Sequence, residues 1–223
     1  MQICVIIPTY NESRKIGKIV EQIRKQNWQI VVIDDGSTDN TAEISRSFGA
    51  TVLKNEKNFG KGFSLSRGLE YARDRNFDAV VTIDGDGQHL PAEIPQFIKL
   101  AKASDAGLIV GNRMHNPHSM PLIRVLTNMF MSWLISKLIR RNIPDTQCGF
   151  RLMKSDLVKE IRFNTQRFEI DSEILIQAAR LGYKIESIPI KSIYHKERSQ
   201  INPLLDTLRF INYIWRHIWT LRS

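Results

Sequence analysis

Two carboxylates, Asp84 and Asp86, stand one residue apart in the stretch AVVTIDGDGQH, Ala79–His89. The small and β-branched residues before them read as a strand buried on both faces. Like charges this close repel each other unless something offsets them. A metal ion, a cationic ligand or the water around a polar turn would each do so. The place of the pair at the end of a buried strand, with the Gln88 amide oxygen two residues on, favours a metal. Every donor in that set is oxygen, which suits Mg2+ or Mn2+ rather than zinc. Gly85 and Gly87 leave the backbone free to approach a ligand.

Other polar clusters follow other apolar runs. Pro8–Glu12 (PTYNE) closes the first and Asp34–Thr41 (DDGSTDNT) the second. The latter reads either as a turn with helix-capping residues or as a nucleotide contact in which Asp34 or Asp35 accepts from a base or ribose. Asn58–Gly68 (NFGKGFSLSRG) sets two glycines and Lys61 ahead of a helical pattern, which suits a loop facing phosphate. Its spacing is not that of a Walker loop, so a P-loop ATPase is disfavoured.

An alternation of elements must position these clusters. The runs ICVII, IVVID, TVL, AVVTID and GLIVG read as strands, while Ile16, Ile19, Val20 and Ile23, then Leu65, Leu69 and Ala72, recur at helical spacing. Such alternation predicts an α/β fold, a mostly parallel sheet with helices on both faces. Ligands of such sheets bind beyond the carboxyl ends of the strands, where the polar clusters fall. The second half predicts a helix over Pro121–Arg141, a strand at GFRLM, a helix over Asp171–Leu181 and a strand at KIESIPI. No linker divides residues 1–203, which read as one domain. Residues 204–223 follow as a basic amphipathic helix whose Trp215 and Trp219 suit either the core or a membrane interface.

The 223 residues, 42% hydrophobic and 25% charged, are those of a globular domain. Cys4 and Cys148 read as small buried residues rather than a disulfide, in keeping with a reducing compartment. A net charge of +9 points to an anionic partner: nucleic acid, a phosphorylated ligand or an acidic membrane surface. No nucleic-acid motif is present, so that partner is not expected. No signal peptide is expected ahead of the first strand. The longest uncharged apolar stretch, Val125–Ser136, has twelve residues against the roughly 20 of a membrane span, so none is expected.

PTYNE, DDGSTDNT, NFGKG, DGDGQH, GNR and DTQCGFR occur in an order and spacing that resemble family 2 glycosyltransferases. Their polyprenyl-phosphate branch, the dolichol-phosphate mannose and glucose synthases, is the nearest likeness, over about residues 2–203. The resemblance implies a GT-A fold. It implies that Pro8, Tyr10, Glu12 and Asp35 hold the donor nucleoside, to which the phosphate-facing loop reading adds Lys61, and that Asp84, Asp86 and Gln88 ligate the metal at the diphosphate. It places Arg113 and Arg124 at the acceptor phosphate, Asp145–Arg151 in an acceptor-side loop that looks more glucosyl than mannosyl, and Glu173 at a recurrent acidic position. Where relatives read Ser-Lys near the final loop, this chain has Arg198-Ser199-Gln200, which gives Arg198 the cationic duty or weakens pyrophosphate binding.

The implied activity is inverting transfer of a hexose, mannose or glucose, from GDP-mannose or UDP-glucose to a polyprenyl phosphate. It would depend on Mg2+ or Mn2+, with Asp86, Arg113, Arg124 and Glu173 closest to the chemistry. A bilayer acceptor implies peripheral contact at the cytoplasmic face of the membrane, through the tail or a membrane-protein partner. Transfer to a saccharide hydroxyl is the rival reading and requires a base, for which Glu173 and Asp145 are the candidates. A sugar nucleotidyltransferase is a remoter one, since PTYNE stands where its glycine-rich signature would be.

Overall fold

The apolar runs of the first half form β1 (Ile3–Thr9), β2 (Gln29–Asp34), β3 (Thr51–Lys54), β4 (Ala79–Thr82) and β5 (Leu108–Asn112). The second half adds β6 (Arg151–Lys154) and β7 (Ile185–Pro189). The structure is a computed structural model that describes residues 1–117, 120–163 and 169–193. Its strands make one seven-stranded sheet in the order β3-β2-β1-β4-β6-β5-β7. Cys4, Val5, Ile6 and Ile7 of β1 are fully buried, as a central strand covered on both faces requires.

Helix α1 (Ile16–Arg24) buries Ile16, Ile19, Val20 and Ile23, the residues whose spacing predicts it. In the same way α3 (Lys61–Arg73) buries Leu65, Leu69 and Ala72. Helices α2 (Thr41–Ser47), α4 (Ile94–Ala103) and α6 (Ser155–Glu160) have no counterpart in the sequence-based expectations. Two of them, at seven and six residues, hold too few turns for a pattern to show. Helices α5 (Leu122–Ile139) and α7 (Ile170–Arg180) occupy the spans read as helical and pack on each other.

Strand β6 departs from the parallel arrangement. It runs antiparallel to β4 and to β5, with Thr82 opposite Arg151. The chain leaves β5 at its carboxyl end, passes through α5, and re-enters the sheet from that same edge. Residues 145–151 therefore arrive between the carboxyl ends of β4 and β5, and one end of the sheet collects polar segments from both halves of the chain.

Helix α5 also departs from expectation. Its 18 residues have a mean hydropathy of 1.4 and are 17% buried, so by length and composition alone it is long and apolar enough to cross a membrane. The uncharged stretch understates it because Arg124 and Lys137 lie inside one continuous helix. Met131, Ser132 and Ile135 seat one side on the domain, and the Ser132 hydroxyl accepts from the Thr146 amide at 2.9 Å. The opposite side leaves Leu122, Ile123, Leu126, Met129, Phe130 and Trp133 between 46 and 72% exposed. Both cysteines are buried and unpaired, as expected. Arg198 and the helix expected over 204–223 lie outside the described residues.

Candidate active site

The loops after β1 and β2 are stitched together by hydrogen bonds between backbone and short polar side chains. Asn11 N–H donates to Ser37 Oγ, and Glu12 N–H to Thr41 Oγ1, both at 2.9 Å. In return the Thr38 amide donates to Asn11 Oδ1 at 2.9 Å. Gly36 makes the turn: its φ is +73°, and a Cβ there would lie 2.5 Å from the Lys57 backbone. Pro8 and Tyr10 flank buried Thr9 and are themselves partly buried.

Asp34 and Asp35 divide the structural work at the end of β2. Asp34 Oδ1 accepts from Ser37 N–H at 2.9 Å, while its buried Oδ2 lies 4.0 Å from Lys54 Nζ with no hydrogen-bond partner among the described residues. Asp35 accepts from Asn55 Nδ2 at 2.7 Å, Phe59 N–H at 3.0 Å and Gly60 N–H at 2.7 Å. It thereby clamps the loop that leads into Lys61.

That clamp delivers Lys61 to the paired acids. Lys61 Nζ lies 2.9 Å from Asp84 Oδ1 and 3.0 Å from Asp171 Oδ2. Burial acts to lower the lysine, but Asp171 and Asp84 hold it well above its ordinary value. Burial likewise acts to raise Asp84, and Lys61 with His89 outweighs it, leaving the carboxyl below its usual range. Asp86 goes the other way, raised by burial and then by the charge of Asp84. This is the repulsion expected of the pair, and it falls on the member without the ammonium.

A divalent cation fits these groups. Two carboxylates whose mutual repulsion is incompletely offset favour a further positive charge. Among the described residues no group of three or more His, Cys, Asp or Glu forms a closed metal cluster. An open oxygen site of one or two carboxylates, completed by water and substrate phosphate, is the usual setting of Mg2+. Gln88 lies in the same turn, its backbone N–H donating to Asp86 Oδ1 at 3.0 Å. His89 is buried against Phe150, and burial pushes it down to about 4, so it is neutral at pH 7.

The segment entering β6 closes the site from the other half of the chain. Arg113, just past β5, grips buried Asp145 in a fork, Nε to Oδ2 at 2.7 Å and Nη2 to Oδ1 at 2.9 Å. Burial acts to raise Asp145, and Arg113 outweighs it, so the carboxyl stays below its ordinary range. The charge of Arg113 also reaches Asp84 and helps to lower it. Arg151 is fully buried, its guanidinium donating to the carbonyls of Cys148, Thr146 and Asp171. A Cβ on Gly149 would lie 2.6 Å from Asp84 Oδ2 and 2.7 Å from Lys61 Nζ, so this loop touches the acid cluster directly.

The structure therefore brings together Asp84, Asp86, Gln88 and Lys61, with Arg113 in electrostatic range and Glu12 and Asp35 in the flanking loops. Arg124 lies in the first turn of α5, partly buried and at helical spacing from Met131 and Ile135, on the side that faces the domain. Glu173 is buried on α7 and accepts from Gln177 Nε2 at 3.3 Å. Sequence reasoning missed Asp171 and gave no role to Arg151. An acid at a helix start reads as a favourable charge on the helix dipole, which conceals a distant partner.

Residues 4–162 match the family described as Glycosyl transferase family 2. The UDP-N-acetylglucosamine–dolichyl-phosphate N-acetylglucosaminyltransferase of Methanococcus voltae is 31% identical over 215 residues, covering 86% of each chain. A dolichyl-phosphate beta-glucosyltransferase of Trichomonas vaginalis is 30% identical over 249 residues, 98% of this chain and 75% of the relative. Among solved structures, glucosyl-3-phosphoglycerate synthase of Mycobacterium tuberculosis, in complex with Mn2+, UDP and phosphoglyceric acid, superposes with a TM-score of 0.75. At 21% identity, over 99% of this chain and 78% of the other, that likeness establishes the shared GT-A architecture. With the family matched across both halves of the sheet, the chain belongs to glycosyl transferase family 2 and is a glycosyltransferase.

Proposed function

We propose that the protein transfers a hexose, with inversion, from a nucleoside-diphosphate sugar to a polyprenyl phosphate at the cytoplasmic face of a membrane. One observation carries the lipid acceptor: α5 holds Arg124 in its first turn and an exposed apolar side from Leu122 to Trp133. A phosphate on a long hydrocarbon chain asks for that combination of a cation and an apolar surface. Lys137, stacked over the Trp133 ring at 4.7 Å, with Arg140 beyond it, suits the headgroup region of an anionic bilayer. The names of the dolichyl-phosphate relatives support the same reading.

In this reading the stitched loops of Pro8–Glu12 and Asp34–Thr41 receive the nucleoside, either uridine or guanosine. Asp84, Asp86 and Gln88 would hold Mg2+ or Mn2+, which when bound supplies Lewis-acid stabilisation of the leaving diphosphate. Arg113 and Arg124 orient the acceptor phosphate and reduce its repulsion from the donor. Asp145 fixes the Arg113 fork in that position. A phosphate whose second pKa is about 6 is mostly dianionic at neutral pH and needs no base to become a nucleophile. The state of Asp145 agrees: tied bidentately to Arg113 and held below its usual range, it is a poor base for a hydroxyl acceptor.

A panel of UDP- and GDP-sugars with a short polyprenyl phosphate, following nucleoside diphosphate release, tests the proposal. Release that depends on the polyprenyl phosphate, and not on saccharide acceptors, is the expected result. Release with saccharides alone would move the chain to the hydroxyl-acceptor reading, with Glu173 as its base.

A further inference from the structure

Asp171 has no part in the reaction outlined above, yet its side chain is 5% exposed and lies against the acid cluster. It sits in the first turn of α7, and its Oδ2 is 3.0 Å from Lys61 Nζ. Among the described residues its Oδ1 has no hydrogen-bond partner, and it stands 3.6 Å from Arg151 Nη2. Arg151 also donates to the Asp171 carbonyl, so the start of α7 is fastened to the fully buried guanidinium at the head of β6. One ammonium is thus shared between a carboxylate on the metal turn and a carboxylate on α7, at 2.9 and 3.0 Å.

We propose that Asp171 is a positioning residue that holds Lys61 when Asp84 takes a divalent cation, and so sets how readily Asp84 takes it. The inference rests on the reading of Asp84 and Asp86 as cation ligands. Lys61 and a divalent ion compete for the same side of Asp84. An ammonium displaced from Asp84 needs another anion, because a buried charge left without a partner is strongly unfavourable. Asp171 already lies within hydrogen-bond distance, so Lys61 can release Asp84 with little movement. Without Asp171 the ammonium has Asp84 as its remaining carboxylate, and the incoming cation must compete with it directly. Gly149 keeps the space between the three groups narrow, since a Cβ there would meet both Asp84 and Lys61.

The test is direct Mn2+ binding to the full chain without nucleotide, read by the electron paramagnetic resonance of free Mn2+, with a thermal melt of each variant. Asp171→Asn should weaken Mn2+ binding about tenfold, within the coupling range of groups in one ion-pair network. Asp171→Glu should restore most of it. Lys61→Met should bind Mn2+ at least as tightly as wild type, because the competitor is gone. In the Lys61→Met background, Asp171→Asn should then change the affinity less than about twofold, against that tenfold loss when Lys61 is present. An equal loss in both backgrounds would mean that Asp171 acts by its own charge, and the proposal falls. It falls equally if Lys61→Met weakens binding, a comparison that does not require the Asp171 variant to fold. Wild-type binding that Asp171→Asn leaves unchanged overturns this inference alone. A wild type that takes no Mn2+ overturns the cation site as well.

Discussion

Gly149→Ala offers a measure of how closely the segment 145–151 and the turn of Asp84 and Asp86 are fitted. The new Cβ would stand 2.6 Å from Asp84 Oδ2, 2.7 Å from Lys61 Nζ and 2.8 Å from Asp84 Oδ1. Ordinary contact begins at 3.4 Å, so the carboxylate must retreat by about 0.8 Å or the loop must lift by as much. A displacement near 1 Å at a reacting centre costs roughly 100-fold in rate. That loss corresponds to about 2.7 kcal/mol of transition-state stabilisation. The effect on folding should be smaller. Overpacking costs about 1–3 kcal/mol, and the stiffer unfolded chain returns about 0.4–1 kcal/mol. For a domain of this size the melting temperature should fall by no more than about 10 °C. Gly182→Ala is the control: its φ of +81° strains an alanine, but no atom of the described residues lies within 4 Å of the new Cβ. It should lower stability while leaving turnover and Mn2+ affinity alone. Donor turnover with a short polyprenyl phosphate, Mn2+ binding and melting, measured on both variants, decide the matter. A Gly149→Ala protein with wild-type turnover and Mn2+ affinity would refute the fit.

A chelator should abolish activity, Mg2+ or Mn2+ should restore it, and Asp86→Asn should remove most of it; full turnover in metal-free protein would refute the cation site. Arg151→Met leaves three carbonyls without their donor, at about 1–3 kcal/mol each. A loss of at least about 3 kcal/mol, or some 6–12 °C in melting temperature, is expected by calorimetry. The stability that Asp145 contributes should be full above its ordinary value of 3.8 and drain away as pH falls below it. The sign follows because the unfolded carboxyl takes up its proton first. Urea titrations across that range should show wild type and Asp145→Asn converging only at the acid end. Replacing Phe130 and Trp133 by Glu should release the protein from anionic vesicles with little change in melting, since both side chains are about half exposed. Binding by wild type should weaken steeply with salt, as each cation near the surface contributes on the order of 1 kcal/mol.

The strands were legible because a strand covered on both faces announces itself as an unbroken apolar run, and β1, β2 and β4 do so. The acids of β4 were legible for the same reason: charge at the end of such a run is conspicuous. The direction of β6 was not, because GFRLM reads alike in either sense and only its partners Thr82 and Val110 fix it. Asp35 reads as a ligand contact from its neighbours in DDGSTDNT, and its hydrogen bonds to Asn55, Phe59 and Gly60, 20 or more positions away, could not be read from that motif. Asp171 and Lys61 are separated by 110 positions, a distance at which no spacing rule applies. The exposed side of α5 was hidden by its own composition, since an apolar helix reads the same whether or not a neighbour covers it.

The reversed strand β6 also bears on the order in which the chain can be completed. Strands β4 and β5 follow one another in sequence but never pair; β6 lies between them and is made some forty residues after β5 ends. Until residue 154 has emerged, the four buried residues of β4 have a partner on the β1 side and none on the other. That side is an apolar edge of unpaired N–H and C=O groups, the kind that recruits strands from other chains. A chain stopped before β6 therefore lacks more than that strand. It carries an open sheet edge beside Asp84 and Asp86, and it should aggregate where a chain carried through β6 does not.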